Sequence, residues 1–356
     1  MKIISDFSKD TQTEKPKPGS YEWWYFDAME INGYSFVIIF YEGNPFSRRY
    51  IRSIESGEKN IAKFYPAISI SVYKQGEPIF YSLREFKKDE AGFRVDAPSG
   101  KVGNNFFEGK NTGSEINYHI MLNQFLPNGD AIKANLTFRS EKIDGLQLID
   151  DENDSDSSQH TWNLVQPKCK VEGNIEISGY KPEKIEFEGT GYHDHNIGFE
   201  PMKDSFTEWY WGRYHTKNET ILYYLMNKSG TWDKKAWMIS DDGNVLPLNE
   251  HPELENKGFN SFGLKTARTI DFAGKDTEVF IQKDKLLDDG PFYQRWKGKL
   301  ILNKNGVLDQ AEGISEYIYP SRIYQKMFWP LVNMRIQYPG KPHWVQKKPV
   351  LYRWTW

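Results

Sequence analysis

The sequence predicts an all-β protein. Short β-branched or alternating segments recur at strand spacing, and turns rich in Gly and Asn separate them. Aromatic residues make up 15% of the chain, and their side chains favour the half-buried surfaces of pleated sheets. A parallel α/β sheet would need a long helix after each strand, and the sequence has no room for such helices. These observations indicate an antiparallel meander or barrel.

The strand pattern can be followed along the whole chain. It occurs at residues 34–41, 67–73, 116–122, 131–138, 171–177, 184–188, 220–227, 236–240, 277–282 and 297–302. Turn signals such as Asn32-Gly33, Gln75-Gly76 and Asn305-Gly306 lie between these segments. Helical periodicity is confined to two short segments, residues 82–90 and 322–331, which we predict as helices.

The length of 356 residues is sufficient for two domains with separate cores. We place the boundary just after a conspicuous polar segment at 191–198, which gives domains at 1–200 and 201–356. This segment would then lie at the seam between domains, where ligand clefts are common. The acidic, serine-rich residues 150–158 are typical of a solvated surface insertion.

Charge and cysteine content exclude several classes of protein. The net charge is −3, so the chain has no broad positive field for nucleic acid, and we expect no nucleic-acid partner. Cys169 is the single cysteine, which excludes an intramolecular disulfide and a zinc site built from cysteines. We find no signal peptide and no apolar run that could cross a bilayer. We therefore expect a cytoplasmic protein, and no pattern indicates its oligomeric state.

The segment at 191–198 reads Gly-Tyr-His-Asp-His-Asn-Ile-Gly and is the strongest candidate for chemistry. Side chains alternate across an extended chain, so Tyr192, Asp194 and Asn196 share one face while His193 and His195 share the other. One face therefore offers an acid beside two hydrogen-bonding groups. The alternative is a polar loop whose histidines are satisfied by backbone carbonyls.

A metal site is disfavoured by the same alternation. His193, Asp194 and His195 are all possible ligands, but Asp194 points away from both histidines when the segment is extended. We therefore predict no metal site here.

Aromatic residues are concentrated in four further clusters, at residues 21–27, 160–162, 208–213 and 292–296. In the first cluster, alternation places Glu22, Trp24 and Phe26 on one face and Trp23, Tyr25 and Asp27 on the other. The rings indicate either a cavity for a large unsaturated ligand or plain strand packing with arginines stacked on rings.

These clusters together resemble a known family. In chain order, residues 22–27, 160–162, 191–198, 209–213 and 334–336 resemble the carotenoid 1,2-hydratase (hydroxyneurosporene synthase) family and its lipocalin-like relatives. The superfamily includes kievitone hydratase and fungal decalin-forming Diels-Alderases. The resemblance covers nearly the whole chain. It implies two lipocalin-like antiparallel β-barrel or sandwich domains, with a ligand pocket at or near their contact.

By this resemblance, Asp194 is the catalytic acid, Tyr192 assists it, and His160 and Trp162 complete the site. Hydration of an alkene needs a proton donor, a stabiliser for the carbocation and a base for the incoming water. A carboxyl buried among rings is held neutral and can donate a proton. Trp162 and Tyr192 offer π faces to the cation, and His160 has an ordinary pKa suited to accepting the proton of water. No cofactor is required.

The predicted function is a cofactor-independent hydratase or cyclase that protonates a C=C bond of a hydrophobic polyene or isoprenoid. The partner is a hydrophobic small molecule, and peripheral contact with a membrane stays open because long carotenoids reside in lipid. Two alternatives remain: a Diels-Alderase-like pericyclase that acts by confinement, and a non-catalytic carrier of a hydrophobic ligand. The predicted substrate-binding residues are Trp24, Tyr25, Asn196, Trp209, Trp211 and Arg213.

Overall fold

The structure is a computed structural model that describes residues 1–142, 146, 148, 160–248 and 250–356. Strands account for 57% of the chain and helices for 13%. The prediction of an all-β, lipocalin-like fold is confirmed. The proposed acidic insertion at 150–158 lies outside the described residues.

Most of the strands are long and antiparallel. The first twelve are β1 (Lys2–Ile4), β2 (Tyr21–Met29), β3 (Tyr34–Glu42), β4 (Ala67–Lys74), β5 (Glu77–Glu85), β6 (Ala91–Phe93), β7 (Ser99–Val102), β8 (Asn105–Asn111), β9 (Glu115–Phe125), β10 (Ala131–Glu141), β11 (His160–Ser178) and β12 (Glu183–Gly198). The others are β13 (Glu208–His215), β14 (Glu219–Lys228), β15 (Thr231–Ser240), β16 (Val245–Pro247), β17 (Glu250–Glu255), β18 (Gly258–Phe259), β19 (Lys265–Thr266), β20 (Thr269–Gly274), β21 (Thr277–Asp289), β22 (Tyr293–Lys304), β23 (Val307–Ile318) and β24 (Ile336–Gln337).

Helices are short and few in the described residues. The α-helices are α1 (Arg48–Glu55), α2 (Met202–Ser205), α3 (Trp329–Arg335) and α4 (Pro349–Arg353). The 3-10 helices are Phe7–Lys9, Ala62–Phe64, Lys88–Glu90, Pro320–Tyr324, Lys326–Phe328 and Trp344–Lys347. None of the helices found in these parts of the chain is long and apolar enough to cross a membrane.

Two curled sheets organise the described strands. The first has the order β24-β5-β4-β3-β2-β12-β11-β10-β9-β8-β7-β6, with β1 paired to β11. The second has the order β16-β15-β14-β13-β23-β22-β21-β20-β17, and β18 pairs with β19 separately. In the first sheet, β12 lies between β11 and β2, so the segment at 191–198 has the aromatic strand β2 on one side and the strand that carries His160 and Trp162 on the other.

The chain divides into two compact units. The first consists of Met1–Lys142, Asp151–Met202 and Lys326–Trp356, and the second of Ile143–Asp150 and Lys203–Gln325. The predicted domain boundary at residue 200 places the last thirty or so residues in the second domain, whereas here they belong to the first unit. The return is held by parallel pairing of Ile336 with Leu83 and by a 3.3 Å ion pair between Arg353 and Asp130.

Two of the predicted turns have the backbone that their sequences favour. Gln75 and Gly76 have φ values of 53° and 74°, and Asn305 and Gly306 have 52° and 81°. Two successive residues with positive φ match a type I′ turn, whose twist suits an antiparallel hairpin. These turns connect β4 to β5 and β22 to β23.

The helix prediction for residues 82–90 is wrong. Strand β5 continues to Glu85, because Leu83 pairs with Ser69 on one side and Ile336 on the other. The prediction for residues 322–331 is correct only in part, since 3-10 turns come first and the α-helix begins at Trp329. Pro330 lies in the first turn of that helix, where a missing N–H costs nothing.

The interior of the second unit combines rings with aliphatic side chains. Its core contains Tyr210, Tyr214, Tyr223, Tyr317, Ile221, Leu225, Phe272, Val279, Ile281, Leu300 and Leu302, among others. Along β21 every second residue is buried, as expected for a strand with one face toward a core. The last member of this alternating series is Lys283, a cation on the buried face.

Candidate active site

Strand pairing brings the predicted catalytic residues together on one face of the first sheet. Asp194 lies opposite Leu164 of β11 and Tyr25 of β2, while Trp162 lies opposite Asn196. The register of β11 shifts between Leu164 and Cys169, and such irregularities bend a strand and increase its twist. The pairing therefore unites sequence clusters that are more than a hundred residues apart.

Gly198 gives this face the space that it needs. A Cβ atom at Gly198 would lie 2.1 Å from the ring of Tyr21, so only glycine admits that ring. Tyr21 in turn reaches His160, which pairs with Gly198 across β11 and β12. The glycine at the end of the segment thus has a steric role in the site.

Asp194 is the centre of a hydrogen-bond network and is only 3% exposed. Its Oδ2 accepts from the Tyr192 hydroxyl at 2.7 Å and from the Trp162 Nε1 at 2.8 Å, and its Oδ1 accepts from the Asn196 Nδ2 at 3.0 Å. The predicted alternation of side chains is confirmed. Trp162 was expected to offer its π face to a cation, but here its indole N–H is directed at the carboxyl group.

Tyr192 is held in its protonated form. Burial and then the negative charge of Asp194 raise the pKa of Tyr192 well above its ordinary value. Asp27, buried on β2 directly opposite Tyr192, acts in the same direction. The sequence analysis did not select Asp27, although alternation in the 21–27 cluster had placed it on the same face as Tyr25.

His160 is a much weaker base than the sequence analysis expected. Burial is the main cause that lowers the pKa of His160 to about 3, although a hydrogen bond with the Asn196 side chain acts to raise it. The ring Nδ1 lies 3.1 Å from the Tyr21 hydroxyl, and Tyr21 stacks on Trp23 with ring centroids 5.2 Å apart. His160 is therefore a neutral ring fixed within an aromatic group.

The opposite face of β12 carries a second buried network, which we call the reverse-face network. It consists of Asp10, Lys15, Glu22, His193 and His195. His193 Nε2 lies 3.1 Å from Asp10 Oδ2, and His195 Nδ1 lies 3.2 Å from Asp10 Oδ1. His195 Nε2 lies 2.9 Å from Glu22 Oε1, and the ammonium group of Lys15 pairs with Glu22.

Asp10 and His195 are charged in spite of complete burial. Burial alone would raise the pKa of Asp10, but His193 and His195 outweigh it and lower the pKa to about 2. Burial alone would lower the pKa of His195, but hydrogen bonds and charge from Asp10 and Glu22 raise it to about 9. At neutral pH His195 is therefore an imidazolium between two carboxylates, the pairing that a buried charge requires.

The histidines of the 191–198 segment approach Asp10 and Glu22 rather than Asp194. Within the ranges that the structure describes, no group of three or more His, Cys, Asp or Glu side chains has an arrangement suited to a metal ion.

The charge of His195 predicts a loss of stability at alkaline pH. The folded-state pKa of His195, about 9, exceeds the ordinary value of 6.5. The contribution of its charge to the free energy of unfolding is therefore complete below pH 6.5 and is lost as the pH rises through 9. We expect the free energy of unfolding to fall by about 3 kcal/mol across that interval. Urea unfolding at a series of pH values measures it. His195→Gln should remove this decline, and an equal decline in that variant would contradict the assignment.

The predicted substrate-binding residues of the first unit divide between the two faces. Tyr25 and Asn196 lie on the face of Asp194, and the ring of Tyr25 meets that of Tyr192 edge-on with centroids 6.1 Å apart. Trp24 lies on the reverse face, where it stacks on His195 at 4.5 Å and its Nε1 donates to the Asp10 carbonyl. Trp24 thus faces away from Asp194, because it occupies the alternate position of β2.

The other predicted substrate-binding residues belong to the second unit. Trp209, Trp211 and Arg213 occupy alternate positions of β13 and are all buried. The residues between and beyond them, Tyr210 and Tyr214, belong to the core on the other face of the strand. A role for this face in binding stays a prediction.

A cavity of about 670 Å³ in the first unit is lined by none of the predicted site residues. Its lining includes Gln12, Lys15, Glu42, Lys63, Lys88 and Phe93. Charged and polar groups predominate there over rings, so it does not correspond to the ring-lined pocket expected from the sequence. That pocket, and its place near the contact of two domains, stay predictions.

Comparisons with known proteins identify relatives along most of the chain. It is 27% identical over 375 residues to a hydroxyneurosporene dehydrogenase from Chlorobaculum tepidum, with 96% of this chain and 93% of the relative aligned. It is 24% identical over 282 residues to an acyclic carotenoid 1,2-hydratase from Thiocapsa roseopersicina, covering 78% of this chain and 64% of that protein.

Among solved structures, an AttH protein from Nitrosomonas europaea superposes with a TM-score of 0.62 at 14% identity, covering 89% of this chain and 97% of that one. At so low an identity the similarity establishes the fold alone. The carotenoid hydratase CrtC family model matches residues 68–347, which contain all the predicted catalytic residues. The chain therefore belongs to the carotenoid hydratase CrtC family.

Proposed function

We propose that this protein is a cofactor-independent hydratase that adds water to a C=C bond of a hydrophobic polyene or isoprenoid. Membership of the carotenoid hydratase family supports a lyase-type enzyme, and one relative carries the name acyclic carotenoid 1,2-hydratase. The observation that carries the proposal is Asp194, a buried carboxyl group that three side-chain donors hold in one orientation.

The hydrogen bonds of Asp194 define which oxygen would transfer the proton. Tyr192 and Trp162 both donate to Oδ2, whereas Oδ1 accepts from the Asn196 amide, and we assign the transferable proton of the acid form to Oδ1. Transfer of that proton to one alkene carbon forms a C–H bond and leaves a carbocation on the other carbon. Water then forms the C–O bond, and its surplus proton returns to the Asp194 carboxylate, so the enzyme is restored.

His160 has a different role in this scheme from the one expected from the sequence. A ring with a pKa near 3 is a poor acceptor for a full proton, but its neutral form can accept a hydrogen bond. We assign to it the orientation of the attacking water. Tyr25, on the same face as Asp194, offers a ring surface to the carbocation.

Isotope labelling of the product tests the reaction class. An acyclic carotenoid is incubated with the protein in D₂O or in H₂¹⁸O, with a chelator present, and the products are analysed by mass spectrometry. A hydratase places deuterium on carbon and ¹⁸O in a hydroxyl group. A cyclase that begins with protonation incorporates deuterium but no ¹⁸O, and a pericyclase incorporates neither. Recovery of unchanged carotenoid would favour a non-catalytic carrier. A lower rate with the chelator than without it would contradict metal-free chemistry.

Tyr192→Phe tests whether the network around Asp194 contributes to the reaction. The variant keeps the ring but removes the donor to Oδ2, and hydrogen bonds to charged groups contribute about 1.5–3 kcal/mol. We expect kcat to fall by about ten- to a hundred-fold with little change in KM. Tyr34→Phe is the control, because Tyr34 donates to Glu183 on a partly exposed part of the same sheet. Equal rates for Tyr192→Phe and Tyr34→Phe would contradict the assigned role.

A further inference from the structure

Lys283 is a buried lysine whose Nζ has no hydrogen-bond partner among the described residues. It is 3% exposed, and its Nζ makes no hydrogen bond in the part of the chain that the structure describes. The centroid of the Tyr210 ring lies 4.6 Å from Nζ. Buried lysines normally pair with a carboxylate, so this side chain is in an unusual environment.

Arg268 adds a second positive charge beside Lys283. The backbone N–H of Lys283 donates to the Arg268 carbonyl at 2.9 Å. After burial, repulsion by the Arg268 charge is the second cause that lowers the pKa of Lys283, to about 7. Among the described residues, the guanidinium of Arg268 has no ion pair or hydrogen bond of its own. Arg268 is half-buried and so gives the pair access to solvent.

The indole N–H of Trp296 is a third buried donor near these two side chains without an acceptor among the described residues. The guanidinium of Arg268 lies over the ring of Trp296, 4.3 Å from its centroid. Trp296 is 2% exposed, and its Nε1 has no hydrogen-bond partner in the described chain. Lys283, Arg268 and this indole thus form a group of donors for which the described part of the chain supplies no acceptor. In the free protein such a group is costly, because the like charges repel and the donors are desolvated.

We propose that Lys283, Arg268 and Trp296 form a binding site for an anionic oxygen group, a carboxylate or a phosphate, in the second unit. An anion would offset both charges and accept hydrogen bonds from all three side chains. Arg binds such groups through two parallel N–H donors, and Lys acts as a point charge beside it. Its residues lie on other strands and in other parts of the sequence than Asp194. A plain hydrocarbon polyene has no anionic group, so the ligand of this site would be an acid.

Calorimetric titration tests the site directly. Inorganic phosphate and decanoate are titrated into the full-length protein at constant ionic strength, with chloride as the reference anion. We expect measurable binding of at least one of them. Lys283→Met and Arg268→Gln should each weaken it by about ten- to a hundred-fold, the effect of losing one charged hydrogen bond. Lys299→Met is the matched control, because Lys299 is an exposed lysine on neighbouring β22 and should leave binding unchanged.

Thermal unfolding provides a second readout that separates loss of the site from loss of the fold. Without added anion, Lys283→Met should unfold at a higher temperature than wild type, because it removes an uncompensated buried charge. With the anion that binds, only wild type and Lys299→Met should gain stability. Tighter binding of decanoate than phosphate would indicate an apolar carboxylic acid as the ligand, and the reverse would indicate a small free anion. No binding of either probe, or equal binding by Lys283→Met, would overturn the proposal.

Discussion

Asp194→Asn is expected to lower kcat by about 10²–10⁴-fold, the range typical for the loss of general acid catalysis. The amide keeps the size of the side chain and an oxygen that can accept from Trp162 or Tyr192. It has no proton to transfer, so protonation of the alkene fails while the site keeps its shape. We therefore expect the Kd for an acyclic carotenoid to stay within about a few-fold of wild type. Turnover by product analysis and binding by fluorescence quenching measure the two effects.

Asp27→Asn is the matched control for this prediction. It makes the same chemical change on the neighbouring strand, where Asp27 is equally buried and lies opposite Tyr192. We expect a much smaller loss of turnover, because the donors from Trp162 and Asn196 are directed at Asp194. Undiminished turnover in Asp194→Asn would remove it as the acid and favour a mechanism by confinement. Equal losses in both variants would place the transferable proton between the two carboxyl groups.

Asp10→Ala is expected to reduce the free energy of unfolding by about 3–5 kcal/mol, as does removal of one partner from a buried ion pair. The variant leaves the charged His195 with one carboxylate instead of two, and it removes the partner of His193 Nε2, while His193 Nδ1 keeps the Tyr25 carbonyl. It also removes the acceptor of the buried Tyr118 hydroxyl. Chemical denaturation at neutral pH, followed by tryptophan fluorescence, measures the change.

The control for Asp10→Ala is the exposed ion pair of Asp96 with Arg94, whose nitrogen and oxygen lie 2.8 Å apart. Solvent screens surface pairs of this kind, so Asp96→Ala should change stability little. A similar small change in Asp10→Ala would show that the reverse-face network does not stabilise the fold. Retained stability together with lost turnover would instead assign Asp10 to positioning of β12.

Alternation could be predicted from the sequence because it is a property of the extended backbone itself. Tyr192, Asp194 and Asn196 therefore fall on one face of β12, and His193 and His195 on the other, as expected. The same rule, applied to residues 21–27, separates Trp24 from Tyr25 and places Asp27 with Tyr25. Only the pairing of β2 with β12 shows that Asp27 lies opposite Tyr192.

Pairing between distant segments could not be predicted in this way. Asp10 is 183 positions from His193, and no local pattern connects an aspartate near the start of the chain with a histidine in β12. The helix prediction for residues 82–90 failed for the same reason. The helical pattern there is weak, and the segment pairs with β4 and β24 as a strand. In both cases long-range hydrogen bonds and packing, rather than local propensity, determine the result.

The sequence by itself determined the class of fold, the strands and the face of β12 on which Asp194 lies, since these follow from residue type, turn chemistry and the two-residue period of a strand. Only the tertiary structure decided the chemical state of the groups. His160 is neutral because it is buried, and His195 is charged because Asp10 and Glu22 surround it. The pKa of Lys283 is lowered because β21 directs its side chain inward, next to Arg268. A pKa depends on solvent and on neighbouring charges in space, and neither is written in the local sequence.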